Sequence, residues 1–138
     1  MADAVPAKVQ LIAGRVLSGL VILFLLFDAG LKLAAPATAI KYSPPGLGWP
    51  LDVPTMTMLG LMLLVPTLLH IWPRTAILGA ILITAYLGGA VATHVRIGSP
   101  LFSHILFGVY LGVMLWGGLW LRDPRVRALI PLRSSDRP

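Results

Sequence analysis

Apolar residues run along this chain in four long blocks separated by brief polar punctuation. The every-second-residue alternation of a half-buried strand is missing. The pattern predicts helices over residues about 11–33, 54–72, 75–97 and 101–121. Each block is close to the roughly 20 apolar residues that cross a bilayer core. The expected fold is all-α, an integral membrane four-helix bundle built as a single domain over residues 1–138. No motif recurs at the spacing of a solenoid, so a repeat architecture is excluded.

The connections differ in length. "PRT" (73–75) and "GSP" (98–100) read as tight turns, each with a proline that stops or starts a helix. Such turns make the second, third and fourth helices antiparallel neighbours. The first connection, "AAPATAIKYSPPGLGWPLDV" (34–53), is long. Prolines at 36, 44, 45, 50 and 54 argue against a regular helix there, and Tyr42 and Trp49 place it at headgroup level. A secretory-leader reading of residues 1–39 sets Lys8 and Arg15 before the apolar stretch and "APATA" after it. Asp28 and Lys32 fit badly inside such a cleavage region, so a first membrane span is preferred.

Composition sharpens this picture. The chain is 57% hydrophobic and 12% charged, with mean hydropathy +0.88. It has no cysteine, which excludes thiolate metal sites, iron–sulfur clusters and thiol redox relays. The net charge is +6. Its basic residues lie beside apolar spans and in the C-terminal segment 122–138, which points to anionic lipid rather than nucleic acid. Lys8, Arg15, Arg74, Arg122, Arg125, Arg127, Arg133 and Arg137 fall on one side, and Lys32, Lys41 and Arg96 on the other. This bias predicts that both termini are cytoplasmic and that the long loop faces outward. The tail reads as a topology anchor, with a short amphipathic surface segment as the alternative.

Helix association in lipid relies on small residues. The third helix offers a ladder of Ala76, Ala80, Thr84, Gly88 and Ala92, with Ala85, Gly89 and Thr93 beside it. It is therefore expected to be the central, most enclosed helix. Gly108 and Gly112 form a GxxxG pair on the fourth, suited to intramolecular packing or to dimerisation. Pro66 should kink the second helix.

Ionisable residues gather near the outward ends. By rise per residue, Asp28, His94 and His104 lie within roughly 8 Å of that boundary. Lys32 is one turn from Asp28 and can pair with it, while Arg96 lies close by and Asp52 ends the loop. Two readings stand. These residues form one polar pocket, or they are interface residues that neutralise one another and snorkel. His94 and His104 could hold a metal or haem, but two imidazoles are a sparse donor set. Contact with a quinone or handling of a proton needs only an imidazole, a carboxylate and an apolar cleft. His70 and Arg15 are expected at the opposite interface.

The run from Gly79 to Arg133, together with "LFDAGLKL" (26–33), "LGWP" (47–50) and "WPRT" (72–75), resembles the DoxX-like group of small bacterial membrane proteins. Thr93, His94, Arg96 and Lys32 match the pattern, whereas "IKYSPPGLGWP" departs from the acidic, helical form usual there. The resemblance implies a four-helix domain in the bacterial inner membrane. It also implies an accessory or quinone-associated subunit of a redox system, since the group takes its name from a subunit associated with a thiosulfate:quinone oxidoreductase. A non-catalytic structural subunit and a small-molecule binding or transport protein are the alternatives. Implied partners are the bilayer and other membrane subunits or a second copy.

Overall fold

The computed structural model describes residues 4–130. Its helices are α1 (Ala4–Ala34), α2 (Pro36–Tyr42), α3 (Val53–Ile71), α4 (Ala76–Arg96), α5 (Phe107–Arg122) and α6 (Pro124–Leu129). A π-helical turn, Leu101–Ile105, leads into α5. Four stretches are long and apolar enough to cross a membrane: Ala7–Ala34, Val53–Ile71, Ala76–Arg96 and Leu101–Arg122. The molecule is a multi-pass, all-helical membrane bundle.

Local chemistry sets the helix ends. Asp52 caps α3 by accepting from the Thr55 amide at 2.8 Å, with Pro54 in the first turn. Asp123 does the same for α6 through the Arg125 amide. α1 begins earlier than the apolar pattern predicts, because Pro6 is tolerated in a first turn and its neighbours are good helix formers. The expectation of no helix in the first connection is corrected at its start. Pro36 initiates two turns that end at Tyr42, before the Pro44–Pro45 pair can interfere. The π turn was not foreseen either. There the Leu106 amide bonds back to the Leu101 carbonyl, five residues away.

α1 packs against α3 and α5, α3 against α4, and α4 against α5, so the ring order is α1–α3–α4–α5. Two ends can be named. The loop end carries the 43–52 connection and the Gly98 turn, where φ is +67°. The tail end carries the 72–75 turn and α6. At its centre the bundle buries Val21, Leu25, Leu63, Ile83, Leu115 and Leu119.

The small-residue ladder is corrected. Ala76 and Ala80 are buried, and Thr84 Oγ1, though exposed, accepts from Trp116 Nε1 of α5 at 2.8 Å, but Gly88 and Ala92 are exposed. A strict step of four residues drifts about 40° per turn from a straight helix face, so by Gly88 the ladder has rotated about 120° off the contact. The buried row runs instead through Ala76, Gly79, Ala80, Ile83 and Leu87. α4 is not the most enclosed span either; α3 is. Of the GxxxG pair, Gly108 packs on Val91 and the Leu87 carbonyl, while Gly112 faces open space.

Each seam of the ring has a glycine at its close approach. A Cβ on Gly118 would lie 2.6 Å from Ser18 Oγ, and one on Gly14 would lie 2.9 Å from the Gly118 carbonyl oxygen; these pin α1 to α5. Gly60 meets Leu33 between α3 and α1, and Gly79 meets the His70 backbone between α4 and α3. Gly108 completes the set between α5 and α4.

Candidate functional site

A cavity of about 810 Å³ opens within the loop-end half of the bundle. Side chains from α1, α3, α4 and α5 wall it, and the 43–51 loop roofs it through Ser43, Leu47 and Trp49. Most of the lining is apolar. Its size falls in the range of about 300–1,000 Å³ typical of small-molecule sites.

Four of the five polar residues singled out from sequence line this cavity: Asp28, Lys32, His94 and His104. Lys32 Nζ donates to Asp28 Oδ2 at 2.5 Å, one turn apart on α1. Both side chains are half-buried, and their pairing offsets part of the desolvation each charge suffers inside a membrane. His94 leaves the last turn of α4 and pairs its Nδ1 with Ser99 Oγ at 2.9 Å. His104, on the π turn, pairs its Nδ1 with Ser103 Oγ at 2.8 Å. The two imidazoles meet edge to face, with centroids 5.6 Å apart. Each thus has Nδ1 engaged with a hydroxyl, and Nε2 is the nitrogen left for a ligand.

Arg96 does not join them. It is exposed and its guanidinium donates to the Leu47 carbonyl, fastening the roof loop to the end of α4. Gly48 makes room for this: it sits at φ +75°, and any Cβ there would strike the guanidinium. Arg96 acts on the site through the loop.

As a metal donor set the site is poor. Among the described residues, no three His, Cys, Asp or Glu side chains gather at one point. Asp28 is already paired with Lys32, and the two rings stand edge to face. The arrangement is better suited to hydrogen-bonding a neutral polar group, with Lys32, His94 and His104 as donors or acceptors around it.

The DoxX-like family profile matches residues 16–118, most of the chain. The chain belongs to the DoxX-like family. No curated protein and no solved structure matches it. Within this DoxX-like bundle the family region holds the second and third transmembrane helices entire and most of the first and fourth, and with them the cavity and its polar residues.

Sequence reasoning missed several residues here. Tyr86 also lines the cavity from α4, about 12 Å below His94 by helical rise. Phe24 and Phe107 stack edge to face at 5.1 Å across α1 and α5. His70 was expected at the tail-side interface and is instead fully buried. The 72–75 turn folds α4 back over it, and its Nδ1 meets the Ala76 carbonyl at 2.9 Å. Nearby at the tail end, Arg122 Nε donates to buried Ser18 Oγ at 2.9 Å. Arg127 caps α5 through the Trp120 and Leu121 carbonyls. The rest of the tail, including Arg133 and Arg137, lies outside the described residues.

Proposed function

We propose that this protein is a membrane-embedded binding subunit for a quinone-class lipophile, serving a redox system of the bacterial inner membrane with both termini cytoplasmic. The cavity carries the reading: apolar walls lead to a cluster of hydrogen-bonding groups at the loop end. A quinone presents the complementary pattern, an apolar ring and tail with carbonyl oxygens that accept hydrogen bonds. Lys32 keeps donors beyond the one given to Asp28, and His94 and His104 line the same chamber with Nδ1 engaged by a serine hydroxyl. The basic-residue bias supports the orientation. The family's association with membrane oxidoreductases supports the redox setting.

The test is to purify the protein in mild detergent, extract its lipophiles and identify them, and repeat with His94→Ala. Wild type should carry stoichiometric quinone, and the variant should lose most of it while keeping its thermal stability. A wild type that carries none, and binds none when a quinone is added, would overturn the reading.

A second reading is a structural subunit, in a larger assembly or with a second copy. The small residues left facing lipid favour it: Gly88 and Ala92 on α4, and Gly112 on α5. Stoichiometric co-purification of partners without bound lipophile would select it.

A further inference from the structure

The four seams around the cavity are not equally closed. Gly60 against Leu33 shuts the α1–α3 seam, and Gly108 against Val91 shuts the α4–α5 seam. The Phe24–Phe107 ring pair closes α1–α5. On the α3–α4 seam the glycine contact lies toward the tail end instead, where Gly79 meets His70 and Pro66. Above that contact, Met62 and Val65 of α3 and Leu82, Ala85 and Gly89 of α4 line the cavity and are themselves exposed. Met62 is 54% exposed, Val65 53% and Leu82 39%. They recur at three or four residues, so each helix presents one continuous stripe to the opening.

The cavity floor slopes the same way. On α1 its lining ends at Phe24 and on α5 at Leu111, each about 10–12 Å below the polar cluster by helical rise. On α4 it continues to Leu82, about 18 Å below His94. The deepest part of the chamber is thus the part that reaches lipid.

We propose that the α3–α4 seam is a lateral portal. A ligand enters from the bilayer, places its polar head among Lys32, His94 and His104, and leaves its hydrocarbon tail lying through the seam between Met62 and Ala85. This rests on the cavity being a lipophile site. It adds that the ligand is an amphiphile whose tail is too long to be enclosed, and that entry past the roof loop at Trp49 is not the route.

The chain has no cysteine, so the seam can be tested by a reversible bridge. A Met62→Cys/Ala85→Cys protein is joined with a short disulfide-cleavable thiol reagent and later released with reductant. Binding is read by tryptophan quenching with two probes that share a dimethoxybenzoquinone head, one with a single isoprene unit and one with a long polyisoprene tail. Unbridged protein should bind both. Bridging should weaken the long-tailed probe roughly tenfold or more while leaving the short one within about twofold, and reductant should restore the loss. Unchanged long-tail binding after bridging would overturn the portal while leaving the cavity reading intact. Loss of both probes would make the seam part of the head-group wall and would also overturn it. Failure of the unbridged protein to bind either probe would overturn the cavity reading itself, and the portal with it. As a second variant, Ala85→Phe should impair the long-tailed probe, whereas lipid-facing Gly88→Phe should not; equal effects would count against the portal.

Discussion

Replacing Gly79 with alanine should separate α3 from α4. The added methyl would lie 2.3 Å from the His70 backbone nitrogen and 2.7 Å from both the His70 Cα and the Pro66 carbonyl oxygen. Ordinary contact begins near 3.4 Å, so the helices must part by about 1.1 Å to relieve the closest approach. All three opposing atoms are backbone, and no flexible side chain can yield. Overpacking of this kind costs about 1–3 kcal/mol. A gap of this size also forfeits a quarter to a half of the dispersion attraction of the atoms lining it. Gly88→Ala, on the same helix, meets nothing and should gain up to about 1 kcal/mol from helix propensity. Both changes carry that propensity gain, so the two variants should differ by the overpacking, about 1–3 kcal/mol. At roughly 4 °C per kcal/mol for a chain of this size, the gap in Tm is about 4–12 °C. The assay is thermal unfolding in mild detergent, followed by tryptophan fluorescence and checked by size exclusion. Equal midpoints for the two variants would refute the claim that Gly79 pins this seam.

Further outcomes are expected elsewhere. Ser18→Ala removes the acceptor of the Arg122 guanidinium and should cost about 1–3 kcal/mol, read by the same unfolding assay. Lys32→Met should destabilise more than Lys32→Met combined with Asp28→Asn, because the single change leaves a carboxylate unpaired among apolar walls; a double-mutant cycle measures the difference. Thr55, through its side chain and then its amide, holds the Asp52 carboxyl below its ordinary value of 3.8. The stabilisation by this cap is therefore present above pH 3.8 and lost as pH falls through the lowered value, so wild type should weaken under acid there. Asp52→Asn should show no such loss in unfolding curves recorded across that range.

The spans were legible because lipid imposes a length and a composition that no soluble helix needs to satisfy. The Asp28–Lys32 pair was legible for a similar reason, since spacing of one turn dictates contact. Ring order was not, because short turns say which helices are neighbours in sequence and not which faces meet. The ladder of Ala76 to Ala92 failed on helical pitch: a period of four is not the period of a straight helix. The same limit hid His70. Counting residues to the nearest aromatic and arginine gives its depth but not the fold-back that places Ala76 against it. Arg96 was read by proximity in sequence to His94, yet its reach is set by Leu47, which approaches only after the loop has closed.

The placement of the seam glycines has a mechanical consequence. Gly14, Gly118 and Gly79 pin the α1–α5 and α3–α4 seams toward the tail end, whereas Gly60 and Gly108 pin the α1–α3 and α4–α5 seams toward the loop end. The bundle thus divides into two stiff halves, α1 with α3 and α4 with α5, joined at a common hinge line near the tail. Rotation about that line would spread two opposite seams together, one held by the Phe24–Phe107 rings and the other bare. Any widening of the chamber would then be like the opening of a clothes peg, a swing of whole helix pairs with each half moving as a unit.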